Sequence, residues 1–152
     1  MIKIVGLGPG AKEALTIGTV WELESSENIF LRTEKHPTVE YLNEKNIQFN
    51  TYDNVYETME SFDEVYSNIA KDLVEKHSQL GDLIYAVPGH PLVAEKSVFN
   101  LIDECKKNSI EYKVIPAVSF IDAMMESLMI DPIEGLKVID AFDRSEERSV
   151  GK

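Results

Sequence analysis

The chain has a single cysteine, a single tryptophan and few basic residues. Cys105 alone cannot form an intrachain disulfide, which suits a reducing compartment; a half-buried helical thiol is its expected state. No apolar run approaches the about eighteen residues of a membrane span. No signal peptide is visible, because the N-terminus enters a strand directly. A soluble, cytoplasmic protein with no membrane partner is expected. Lysine and arginine number 15 against 27 aspartates and glutamates, a formal net charge of −12. Phosphates are repelled by such a field at long range, which argues against a nucleic-acid partner and mildly against polyanionic substrates. His36, His77 and His90 stand far apart without a second ligand-type residue at metal spacing, so no metal site is expected. No Gly-Lys-Ser/Thr follows the early glycines, which excludes a Walker loop, and no Ser/His/Asp arrangement is present.

What the chain does have is alternation of strand and helix. With 152 residues, one domain with an adequate core is expected. The patterns predict strands at Ile2–Val5, Asn28–Leu31, Gln48–Tyr52, Asp82–Val87, Tyr112–Ile115 and Leu136–Ile139. They predict helices from about Glu13 to Ser25, from His36 through Leu42, from Ser61 to about Gln79, from Val93 to Lys107 and from Ser119 to Leu128. Ser61 and Glu64 form a capping-box pattern. Strands separated by helices imply an α/β fold, a mostly parallel sheet with helices on both faces. Residues 143–152 carry charge without apolar period and read as a disordered or non-native tail.

Three strands lead into loops rich in glycine and proline: Gly6-Leu7-Gly8-Pro9-Gly10, Pro88-Gly89-His90-Pro91 and Pro116-Ala117-Val118-Ser119-Phe120. In a parallel sheet all three lie at the carboxyl edge, where open α/β sheets bind ligands. Glycine lets backbone pass close to a small molecule, so a nucleotide-like cofactor site is expected there. Gly6, Gly8 and Ala11 fit Gly-x-Gly-x-x-Ala, the pattern of a nicotinamide dinucleotide site. Pro9-Gly10 delays the helix that should face a pyrophosphate, and Arg32-Thr33 leaves no acid at the tip of the second strand; Glu34 reads as a surface carboxylate. His90 is the histidine selected as a site candidate; His36 reads as a helix-start residue, and His77 as an exposed helix end.

These three loops, in this order, resemble the tetrapyrrole (corrin/porphyrin) methylase family. Leu31-Arg32-Thr33-Glu34-Lys35-His36-Pro37 and Ile130-Asp131-Pro132-Ile133-Glu134-Gly135 look like the subgroup fused, in bacteria, to a MazG-type nucleoside triphosphate pyrophosphohydrolase. The resemblance covers residues 1–142 and implies the N-terminal lobe of a class III methyltransferase fold. It implies S-adenosylmethionine as cofactor, held in the cleft between two lobes, and methyl transfer to a small-molecule substrate not named by the sequence. The cofactor-binding residues it implies are Gly6, Leu7, Gly8, Pro9, Gly10, Pro88, Gly89, His90, Pro91, Val93, Ser119 and Phe120. Two residues depart from the family pattern: His90 stands in place of an acid and Ala117 in place of a glycine.

The family's second lobe is absent, so the chain is expected to be a truncated methyltransferase lobe, inactive alone. The alternative is a non-catalytic binding or regulatory module of a fused pyrophosphohydrolase. An apolar patch at Leu136 to Phe142, left bare without the second lobe, carries an expectation of self-association as a homodimer.

Overall fold

A computed structural model describes residues 1–141. The β-branched and apolar runs form β1 (Ile2–Gly6), β2 (Ile29–Leu31), β3 (Asn50–Thr51), β4 (Leu83–Val87) and β5 (Tyr112–Val114). They lie in one sheet in the order β3-β2-β4-β1-β5, and every pairing is parallel. All of β4 is buried, as the central strand of a sheet covered on both faces must be.

The helices are α1 (Ile17–Ser25), α2 (Val39–Glu44), α3 (Asp53–Thr58), α4 (Phe62–Leu80), α5 (Lys96–Lys107) and α6 (Phe120–Leu128). The two-residue period of the strands divides the core in two. Ile2, Ile4, Phe30, Leu83, Tyr85 and Val87 pack with Val65, Ile69 and Leu73 of α4 and Val98 and Leu101 of α5. Val5, Leu7, Ile29, Leu31, Ile84 and Ala86 pack with Leu23 of α1 and with Val39 and Leu42 of α2. The expected parallel α/β sheet with helices on both faces is therefore the fold of residues 1–141.

Several expectations need correction. Leu136–Ile139 forms no strand. A strand needs a partner edge, whereas Val138 and Ile139 lie beside Phe62, Phe99 and Phe120 and line a cavity of about 1090 Å³. The first helix starts later than Glu13: a short 3-10 turn at Lys12–Ala14 precedes α1, whose N-cap is Thr16. α3 was not foreseen from the sequence. Cys105 is fully buried, not half-buried. His77 is half-buried, 3.3 Å from the N-terminal nitrogen of Met1. The expected apolar patch is present as exposed Leu136, Val138 and Ile139, while Phe142 and residues 143–152 lie outside the described residues. Among the described residues no helix is long and apolar enough to cross a membrane.

Candidate functional site

The carboxyl ends of β1, β4 and β5 carry the three loops, and the loops meet at one point. Gly6 is where they meet. A β-carbon there would stand 2.1 Å from the Gly89 carbonyl oxygen, 2.6 Å from the Ala117 methyl and 2.9 Å from Pro91 Cδ. The first two loops also pair backbone to backbone. Gly8 N–H donates to the Gly89 carbonyl at 3.3 Å, and Gly89 N–H donates to the Gly8 carbonyl at 2.8 Å. Both residues are left-handed, with φ +76° and +67°, a conformation that glycine adopts without steric cost. Leu7 N–H continues the ladder to the Val87 carbonyl at 2.8 Å, and Leu7 is fully buried beneath the loop.

The remaining sequence-predicted residues divide by position. Pro91 is buried and Pro88, His90 and Val93 are half-buried, whereas Pro9 is exposed beside Gly10. His90 Nδ1 accepts the Leu92 N–H at 3.0 Å, and Val93 N–H donates to the His90 carbonyl at 3.1 Å. An aspartate would accept the same i+2 N–H in an Asx turn; the imidazole makes that bond without a carboxylate's charge. Ala117 is absent from the positive-φ residues, so its backbone demands no glycine, and its methyl covers Gly6. Ser119 caps α6 with a complete capping box. Its hydroxyl accepts the Ile121 N–H at 3.2 Å, while the Asp122 carboxylate accepts the Ser119 N–H at 2.8 Å. The Ser119 N–H and the Ser119 hydroxyl, which donates to the same carboxylate at 2.9 Å, hold the Asp122 carboxyl below its ordinary range. Phe120 is exposed and lines a cavity together with Phe62 and Phe99. The Thr16 hydroxyl lies 3.2 Å from the Pro116 carbonyl and ties α1 to the third loop.

The loop between β2 and α2 belongs to the same edge, and sequence reasoning, which used it only for the resemblance, left it out of the site. His36 is no helix-start residue, because α2 begins at Val39. Its Nε2 lies 3.0 Å from the Gly8 carbonyl oxygen. The buried Thr38 hydroxyl reaches the Leu7 carbonyl at 3.1 Å and the Gly10 carbonyl at 3.2 Å. The signal was available: a loop that follows a parallel strand must lie at the edge where the glycines lie. Glu34 is exposed, as expected.

Arg32 and Glu95 were also missed. Arg32 Nε stands 2.8 Å from Glu95 Oε1, off the N–H direction, so the contact is charge against charge. Arg32 also donates to the Tyr56 hydroxyl at 2.8 Å. Burial pushes the Glu95 carboxyl up, and Arg32 and Ser97 pull against it. Ala94, immediately before Glu95, has φ +55°, a conformation costly for alanine.

A parallel sheet with ligand-type loops converging at its carboxyl edge defines the class: an α/β domain with a methyltransferase-like fold. The chain belongs to the tetrapyrrole (corrin/porphyrin) methylase family, whose model matches residues 1–151. It is 42% identical over 142 residues to the uncharacterized protein YabN of Bacillus subtilis (strain 168), covering 92% of this chain and 28% of that protein. The chain thus spans little more than a quarter of that relative's length. Among solved structures it resembles uroporphyrin-III-C-methyltransferase from Thermus thermophilus, at 20% identity and a TM-score of 0.66, covering 86% of this chain and 53% of that one. A structure of a uroporphyrin-III C-methyl transferase from the same organism, complexed with S-adenyl homocysteine, aligns at 16% identity and a TM-score of 0.60, covering 83% of this chain and 50% of that one. Diphthine synthase aligns at 16% identity and 0.66, covering 86% and 49%. These three likenesses bear on the fold.

Proposed function

We propose that the carboxyl edge of the sheet binds S-adenosylmethionine and that the chain is the cofactor lobe of a methyltransferase. One observation carries this reading: Gly6 lets three loops close on one another, and beside that junction Gly89 leaves bare backbone, where a β-carbon would meet nothing within 4 Å. Residues Gly6–Gly10, Pro88–Pro91, Val93, Ser119 and Phe120 are those that would hold the cofactor. When bound, its sulfonium supplies an electrophilic methyl group, and the sulfur keeps the electron pair of the broken bond. The chain's own part is to bind, align and exclude water. Alignment lowers the barrier of such a transfer by several kcal/mol without an acid or base, so the lack of a triad is no objection. Residues 1–142 are the lobe in this reading. A second lobe forms the other wall of the cleft, and turnover requires both walls.

A second reading has one observation in its favour. The net charge of −12 suits a non-catalytic small-molecule-binding module beside a MazG-type pyrophosphohydrolase better than an enzyme acting on a polycarboxylate. Calorimetric titration with S-adenosylhomocysteine tests the cofactor site, and a radiolabelled methyl-transfer assay compares this chain with a longer protein in which a second lobe follows it. Binding with turnover only in the longer protein supports the first reading. Binding without turnover in either supports the second. No heat at millimolar ligand, or tight NADH binding, sinks the cofactor assignment.

A further inference from the structure

The glycine loop depends on its neighbours for its shape. Gly8 and Gly10 sit at φ +76° and +142° and carry no side chains, so ordering them costs more backbone entropy than ordering other residues. Beyond the Gly8–Gly89 pair, one segment reaches the loop's carbonyls. His36 donates to that of Gly8, and the Thr38 hydroxyl shares its one hydrogen between those of Leu7 and Gly10. Pro37, between them, places its Cγ 3.7 Å from where a β-carbon on Gly10 would stand. The tautomer follows from the partners. His36 Nδ1 accepts the Thr38 N–H at 3.2 Å, so Nε2 carries the hydrogen and donates to Gly8. The segment is anchored from behind, where Asp53 accepts the Thr33 hydroxyl at 2.5 Å and the Glu34 N–H at 2.9 Å.

We propose that His36 and Thr38 are positioning residues whose hydrogen bonds clamp the Leu7–Gly10 backbone in the shape that receives the cofactor. The proposal rests on the reading of this edge as an S-adenosylmethionine site. His36 has no free nitrogen for acid–base chemistry, since both are engaged with backbone. Protonation would put a second N–H on Nδ1, facing the Thr38 N–H, and the clamp would open. Burial and the nearby charge of Arg32 disfavour that protonation, against the pull of the Gly8 carbonyl. Glu34 and Lys35, beside His36 in its own loop, are exposed. The clamp is therefore closed at neutral pH and opens as pH falls below 6.5, the ordinary histidine value, through the lowered value of His36.

The test uses the 152-residue chain and its variants His36→Leu, His36→Gln and Thr38→Val. S-adenosylhomocysteine affinity is measured by calorimetry across pH, and amide exchange is followed without ligand. Leucine offers no donor; the glutamine amide reaches about where Nε2 stands and does not titrate. His36→Leu and Thr38→Val should each weaken binding about three- to tenfold at neutral pH, the worth of one such hydrogen bond. In both, the Leu7 and Gly8 amides should exchange faster while those of β4 are unchanged. His36→Gln should restore binding and protection and remove the fall in affinity that the wild type shows as pH drops below 6.5, the ordinary histidine value. If His36→Leu leaves loop exchange unchanged while the wild type binds, the clamp is wrong and the cofactor reading stands. If nothing binds but loop exchange still accelerates, the clamp stands and the cofactor reading falls. A His36→Gln variant whose affinity still falls with pH as the wild type's does also overturns the proposal.

Discussion

Gly6 lies so close to Gly89 that a β-carbon on the first would stand 2.1 Å from the carbonyl oxygen of the second. Gly89 presents the opposite case, with φ +67° and open space where its own β-carbon would go. One glycine is required for room and the other for conformation. Gly6→Ala should therefore cost about 3 kcal/mol or more, the upper range for forced overpacking. Gly89→Ala should cost about 1–2 kcal/mol, the penalty of a left-handed alanine. Urea unfolding of the two variants measures both; equal, small losses would mean that the three-loop junction yields easily.

Asp122 closes the capping box on Ser119 and is exposed. α6 buries none of its residues, so its order depends heavily on that cap. Asp122→Ala should lower stability by only about 0.5–1 kcal/mol, because the Asp122 carboxylate is exposed to solvent. It should nonetheless speed amide exchange throughout α6. The folded-state carboxyl titrates below its ordinary value of 3.8. Its contribution is thus complete above pH 3.8 and lost as pH falls through the lowered value. Wild-type α6 should fray in acid before the sheet does, and the variant should show no such step.

Cys105 lies fully buried in the core cluster that also holds Ile2 and Leu83. Burial pushes its thiol up to about 11, with Glu104 adding to the effect. Since the thiolate is the reactive form, the native chain should resist a thiol reagent at pH 8 and react fully once unfolded in urea. Rapid labelling of the native state would show that α5 opens locally.

The β-branched run of β1 and the nearly continuous apolar run of β4 were enough to read both strands, because a strand covered on both faces is apolar at almost every position. The three loops were legible for a similar reason: parallel strands send their following loops to one edge. Leu136–Ile139 misled, since a short apolar run looks alike whether it pairs with a sheet or lies beside Phe62 and Phe99. His36 and Thr38 were missed because their role is a contact with residues 28 or more positions away, and local pattern carries no trace of it. The alternation of Arg32 and Glu95 into one buried pair was hidden likewise, by the 63-residue span that the fold closes between them.

That pair sets a stability test whose answer also bears on the loop after β4. Glu95 is 8% exposed, and the Arg32 side chain keeps 21% of its surface. Removing the carboxylate leaves a mostly buried guanidinium whose remaining partner here is the Tyr56 hydroxyl. Glu95→Ala should cost about 2–4 kcal/mol, a little under the loss for breaking a fully buried pair. Replacing both partners with apolar residues removes the stranded charge, and such swaps are often neutral. The double variant Arg32→Met, Glu95→Leu should therefore recover most of the loss. The pair also pins the strained Ala94 turn to the end of β2, so Glu95→Ala should loosen residues 88–95 before it loosens the sheet. Urea unfolding of the single and double variants, with amide exchange on the 88–95 segment, reads both effects. Single-variant losses under about 0.5 kcal/mol, the level of an exposed pair, would show that the contact contributes nothing to the loop's position.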